Sequence, residues 1–233
     1  MTALTGAGKA ARGPCPGPCA PAARRPGMAR AACAASAAAF ILAAHCALAQ
    51  PEARPGRLTG LERQQLLAVA AEPVAAVREG REPRLPQAAG TLLASLPLAV
   101  SLYLDGELIA RHWEIQRPGP LAASAMALVS QALSAPKWGT PPAAVDVPRV
   151  KVGILVLHGF VAIKDDSELP EGHGAVVMNG FQEGVAGPMD APDGQKPADI
   201  LSFASRMAGM RPGGWLIPET ALFASPADEA REQ

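Results

Sequence analysis

The chain changes character at residue 50, and that boundary constrains everything after it. Its four cysteines, Cys15, Cys19, Cys33 and Cys46, all precede it. So do five basic residues, Lys9, Arg12, Arg24, Arg25 and Arg30, with no acidic residue among them. The 21 Asp and Glu residues all follow. Met28-Ala29-Arg30 opens a short basic stretch, and Ala31–Ala49 continues without a formal charge around Phe40-Ile41-Leu42. The run closes on Ala47-Leu48-Ala49, a small-x-small sequence of the kind a signal peptidase accepts. Counted from Met28, this segment is 22 residues long, a normal size for a secretory signal peptide. A membrane anchor needs about 20 strongly apolar residues. Here the run is Ala-rich and interrupted by His45. The expectation is a signal peptide with an upstream extension over 1–49, cleaved after Ala49. The true start is Met1 or Met28, and the mature protein is periplasmic or secreted.

Cleavage leaves Gln50–Gln233, with 16 basic against 21 acidic residues and a net charge of −5. That length suits one ordinary domain with a core that needs no staples. An acidic chain is a poor match for nucleic acid or an anionic membrane, both of which select a basic face. A cysteine-free mature chain has no disulfide, thiolate metal site or cysteine nucleophile, and it suits an oxidising compartment. No membrane span is expected after cleavage.

Local signals divide the mature chain. Gln50–Leu58 reads as a linker. Thr59-Gly60-Leu61-Glu62 fits a capping box, and Leu66, Leu67, Ala70, Val74 and Val77 recur at helical spacing, with Pro73 expected to kink or divide the helix. Leu98–Leu104 alternates as a strand. Asp105-Gly106 is a two-residue hairpin turn that returns through Glu107–Ile115. Pro120–Ser134 reads as a helix and Val150–Leu157 as an apolar strand. Ala175–Met178 and Phe181–Val185 read as a second hairpin about Asn179-Gly180. Pro197–Met210 reads as a helix capped at Gly209, and Thr220–Phe223 as a last strand. Hairpins and helices intermix without strand–helix alternation, which makes the fold class α+β, a mixed or antiparallel sheet with hairpins flanked by helices. The domain is expected over 59–224, and 225–233 reads as a flexible tail.

Candidate chemistry concentrates on the return strand. Arg111, His112 and Trp113 together can bind an anion, stack on a ring or donate protons. The plainer reading is an edge strand with a wetted polar side and a packed Trp113. His158-Gly159 after an apolar strand resembles an oxyanion loop, but no Gly-x-Ser-x-Gly elbow follows, so a buried strand entering a turn is expected. Asp165, Asp166, Glu168 and Glu171 lie near His158 and His173 without ligand-type spacing, so they read as a solvated loop, with neither metal nor cofactor expected.

Leu102-Tyr103-Leu104-Asp105-Gly106-Glu107-Leu108 resembles the start of the signature of the AMMECR-type domain family. Further segments match in order: Pro120-Leu121, Val150–Leu157, Gly172-His173-Gly174, Gly184–Pro188, Ile200-Leu201 with Met207–Met210, then Trp215 and Phe223. The resemblance spans roughly Leu61–Phe223 and implies an α+β domain of two unequal lobes with a groove. Bacterial members of the family are associated with MEMO-like and radical-SAM proteins, partners from which an exported chain would be separated. Where the family carries Arg-Gly-Cys-Ile-Gly, this chain has Ile109-Ala110-Arg111-His112-Trp113, with Arg111 at the cysteine position. Three functions follow as expectations. The leading one is a ligand-binding or accessory module using the Arg111–Trp113 strand with His173, for an unknown protein or small-molecule ligand. The others are a hydrolase- or transferase-like enzyme with His112 and His173 as acid and base, and a structural envelope-interaction protein.

Overall fold

The computed structural model describes residues 57–86, 90–191 and 196–233. The expected signal peptide, and the linker up to residue 56, lie outside them. The first helix, α1 (Gly60–Glu79), begins with the expected capping box. The Thr59 hydroxyl accepts from the Glu62 N–H at 3.2 Å, and the Glu62 carboxylate accepts from the Thr59 N–H at 2.8 Å. It ends at Gly80, whose φ of 65° is the left-handed cap that glycine adopts without steric cost. Pro73 does not divide it. Leu66, Val69 and Ala70 before the proline, and Val74 and Ala76 after it, are all buried, so packing holds both halves against one core.

The sheet is built from β1 (Leu98–Leu104), β2 (Glu107–Glu114), β3 (Trp138–Gly139), β4 (Lys151–Leu157), β5 (Val161–Ile163), β6 (His173–Asn179), β7 (Gln182–Ala186) and β8 (Ala221–Arg231). Its order is β3-β2-β1-β4-β8-β6-β7, with β5 also on β8, and every pairing is antiparallel. Two further helices, α2 (Leu121–Ser134) and α3 (Pro197–Met207), complete the α+β architecture. α3 closes with Gly209 at φ 75°, and the Gly209 and Met210 N–H groups donate to the Arg206 and Ser205 carbonyls. That pair of bonds is a Schellman cap.

β8 joins two halves. Its C-terminal part pairs with β4, and its N-terminal part lies between β5 and β6. β4 and β5 follow one another along the same edge of β8. The register slips by one residue across His158–Phe160, where Gly159 takes φ 87°. The expected flexible tail from 225 is therefore overturned. Pro226, Asp228 and Glu229 disguise a strand, because proline and carboxylates argue against one locally. Asp228 is buried here, accepting from the Leu58 N–H at 2.8 Å and lying 2.7 Å from His158 Nε2.

Alternation along β1 and β4 assigns each residue to a face. Leu98, Val100, Leu102, Val152, Ile154 and Val156 meet α1 and α2 in one core. Ala99, Leu155 and Leu157 face the other way, packing with Trp113, Val176, Val185, Met207 and Phe223. A third cluster seats Ile200, Leu201 and Ala204 of α3 on Ala175, Val177 and Leu222. Full burial of each Leu, Val or Ile stabilises the fold by about 1.5–3 kcal/mol. The second hairpin turns one residue later than expected. Asn179 pairs with Gln182, so Gly180-Phe181 forms the loop, with Gly180 at φ 59°.

Candidate functional site

The β1–β2 hairpin turns through Asp105 at φ 52° and Gly106 at φ 92°, the positive dihedrals a type I′ turn demands. It pairs Ser101 with Arg111, Val100 with His112 and Ala99 with Trp113. Arg111 and Trp113 consequently share the α3 face of the sheet, and His112 projects to the opposite one. There burial first, and the Lys137 ammonium second, push the imidazole of His112 down from its ordinary value. Its buried Nδ1 has no hydrogen-bond partner.

Arg111 is only 1% exposed. Its guanidinium donates to Asp190 Oδ2 at 2.6 Å, and the same oxygen accepts from the Gly187 N–H at 2.8 Å. The Phe203 ring centroid lies 5.8 Å from its Cζ, and its Nε is buried without a partner. Beside it stands Glu229 of β8, whose Oε2 accepts from the Met189 N–H at 3.0 Å. Burial, and then the negative charge of Asp190, raise the Glu229 carboxyl to about 7, against the pull of the Met189 N–H and Arg111. Burial likewise raises the Tyr103 phenol, with Asp190 adding to the shift. Arg231 lies over the Tyr103 ring, 3.5 Å from its centroid. These groups close around a cavity of about 10 Å³, which is room for one water molecule. An external anion finds the Arg111 charge already matched by a carboxylate of its own chain.

Two residues further along the same face, the surroundings invert. Trp113 floors an open groove of about 430 Å³ walled by Lys137, Trp138, Phe181, Glu183 and Met207. Glu183 Oε1 accepts from Trp113 Nε1 at 3.1 Å and from Lys137 Nζ at 2.7 Å, fixing the indole and placing the ammonium 5.2 Å from its ring centroid. Phe181, at the tip of the β6–β7 hairpin, is 98% exposed. Aromatic surface beside satisfied polar groups makes this groove a candidate recognition site.

Of the four residues singled out in the sequence, the fold thus brings Arg111 and Trp113 onto one face but into different cavities. His173 opens β6 with its Nδ1 3.1 Å from the Glu171 carbonyl, and neither it nor His112 lines the closed cavity or the groove. His158 is buried at the end of β4, as its strand-to-turn reading expected, and the Ser225 hydroxyl accepts its backbone N–H at 3.0 Å. Its imidazole turns to Asp228 and not to that hydroxyl, so no nucleophilic serine arises there. Sequence reasoning missed Asp190, Glu229 and Trp138. A usable signal existed for Asp190, which closely follows Gly187-Pro188, a turn-type sequence after an apolar run.

The curled antiparallel sheet with helices on both faces, and an aromatic groove at one end of its second strand, define an α+β protein with a candidate binding site. No family model matches the chain, and no curated protein matches it. Among solved structures, it is similar to the crystal structure of an uncharacterized protein from Pyrococcus horikoshii. The TM-score is 0.59 at 16% identity, over 73% of this chain and 91% of that one. At that identity the likeness is one of fold.

Proposed function

We propose that the protein is an exported, divergent AMMECR-like domain that works as a ligand-binding or accessory module, and that its ligand lies in the groove floored by Trp113. The observation that carries this reading is the contrast along β2. Arg111 is internally paired and sealed in a closed cavity, whereas the groove beyond it, floored by the buried Trp113, presents the half-buried Trp138 and the exposed Phe181. The family assignment is supported by the ordered matches from Leu102 to Phe223 and by an architecture of two sheet halves joined at β8. Export is supported by the pattern over Met28–Ala49 and by the absence of cysteine after it. A protein with N-terminus at Gln50 recovered from the periplasm supports export, and a cytoplasmic chain retaining Met1 contradicts it. Among the described residues no helix is long and apolar enough to cross a membrane.

The groove fits a partner with a planar or aliphatic face, since aromatic side chains contribute area and stacking with little loss of conformational freedom. Native mass spectrometry against a panel of aromatic, glycan and peptide compounds tests the reading. A species bound by the wild-type protein and lost in Trp138→Ala and Phe181→Ala supports it. Binding unaffected by either substitution contradicts it.

A further inference from the structure

Glu229 has no part in the groove, and its surroundings are closely packed. The Gly187–Asp190 segment wraps around it. A Cβ on Gly187 would stand 1.7 Å from Glu229 Oε1, so the carboxyl lies directly against the Gly187 backbone, a fit only glycine permits. Glu229 Oε2 takes the Met189 N–H, while Asp190 takes the Gly187 N–H and Arg111. Two carboxyl groups therefore anchor one turn, one from β8 and one from the turn itself, with a single guanidinium between them. The charged and titratable groups facing Glu229 are Arg111 from β2, Asp190 from the turn and Tyr103 from β1; β4 presents Gly153, Ile154 and Leu155. Arg231, its neighbour on β8, is engaged by the Tyr103 ring and by the Gly106 carbonyl at 3.1 Å. Arg231 also lines the cavity, but among the described residues it forms no ion pair with Glu229, and Arg111 is paired with Asp190.

We propose that Glu229 is the proton-holding group of a pH-responsive latch: protonated, it seats the Gly187–Asp190 turn on β8 beside the Arg111–Asp190 pair, and ionised, it opposes Asp190 and loosens the turn. The seating is strongest in acid because the folded carboxyl titrates at about 7, above its ordinary value near 4.3. A proton held only in the closed state stabilises it fully below the ordinary value. That contribution falls as the pH rises toward 7 and is gone above it. In an opened turn Glu229 meets water and titrates normally, so the opening constant rises by up to about tenfold per pH unit between about 5 and 7, less steeply near 7, and then levels.

Amide hydrogen exchange at Met189, corrected for the intrinsic effect of pH, reads this opening in the whole protein. The expected result is a roughly fortyfold loss of protection from pH 5 to pH 7. Glu229→Gln, which keeps an acceptor for the Met189 N–H but does not titrate, is expected to show a flat profile. Parallel loss of protection in wild type and variant would overturn the latch. Should the variant fail to fold, carboxyl carbon NMR of the wild-type protein decides the matter. A Glu229 midpoint near neutrality, lowered by Asp190→Asn, supports the proposal, and a midpoint below about 5 refutes it.

Discussion

Arg111 and Trp113 are two residues apart on one strand, point to one side of one sheet and are both buried, yet they border very different cavities. At Arg111 the chain supplies its own counter-charge, its own turn and a cavity of about 10 Å³. At Trp113 it supplies aromatic walls around about 430 Å³ and leaves a phenylalanine standing in solvent. The difference arises from what lies across the sheet. The Gly187–Asp190 turn and β8 cover the first position, whereas the second is bordered by Lys137 and Trp138, the β6–β7 hairpin tip and the end of α3, which leave it open. A charged residue on a candidate strand is therefore no proof of a charged site. A buried arginine is as readily a fastener between elements as a clamp for a ligand.

Breaking the closed side should cost most. Arg111→Leu leaves Asp190 buried with no guanidinium opposite, and loss of one partner from a buried pair costs about 3–5 kcal/mol. Chemical denaturation should show this as a fall in midpoint with the groove intact. Gly187→Ala forces a methyl group onto Glu229 Oε1, and overpacking of this sort costs about 1–3 kcal/mol; a denaturant midpoint equal to that of wild type would show that the turn is not seated as described. On the open side, Phe181→Ser removes nothing from the core, so stability should stay within about 0.5 kcal/mol of wild type. Its effect should appear only in binding. A large loss of stability there would mean that Phe181 is covered by something in solution.

Two carboxyl groups of the fold, Glu72 on α1 and Glu229 on β8, respond oppositely to acid. Arg81 holds the Glu72 carboxyl down at about 2, so its contribution is present above the ordinary carboxylate value and is lost as the pH falls toward 2. Glu229 works in the reverse sense, losing its contribution as the pH rises from about 5 to 7. Stability should therefore peak in mildly acidic solution. Glu229→Gln should flatten only the neutral limb of a pH-dependent thermal denaturation series.

What was legible in the sequence was local. The Thr59 capping box, the Asp105-Gly106 turn, the alternation of Leu98–Leu104 and the glycine cap of α3 each depend on residues within a few positions of one another, and the α+β class follows from their order. The reading failed where distant partners decide. Pro73 breaks helices in isolation but lies here in a helix packed on both sides of it. Pro226, Asp228 and Glu229 read as a solvated tail because their compensation lies elsewhere, in Leu58, His158 and Met189. Arg111 and Asp190 are 79 residues apart, so no spacing rule joins them. The candidate residues on β2 were found, but whether each faces a ligand or its own chain was settled by strands and turns contributed from the other end of the sequence.

The proposed division of roles, ligand recognition in the Trp113 groove and a structural fastener at Arg111, separates in one variant. The most direct test is native mass spectrometry of the double variant Arg111→Met with Asp190→Asn, using a compound that the wild-type protein binds. Methionine removes the charge, and asparagine still accepts the Gly187 N–H. The account predicts binding within about threefold of wild type, a difference well under 1 kcal/mol, with near-UV circular dichroism unchanged. Loss of the bound species from a folded double variant would contradict it and return the binding role to Arg111.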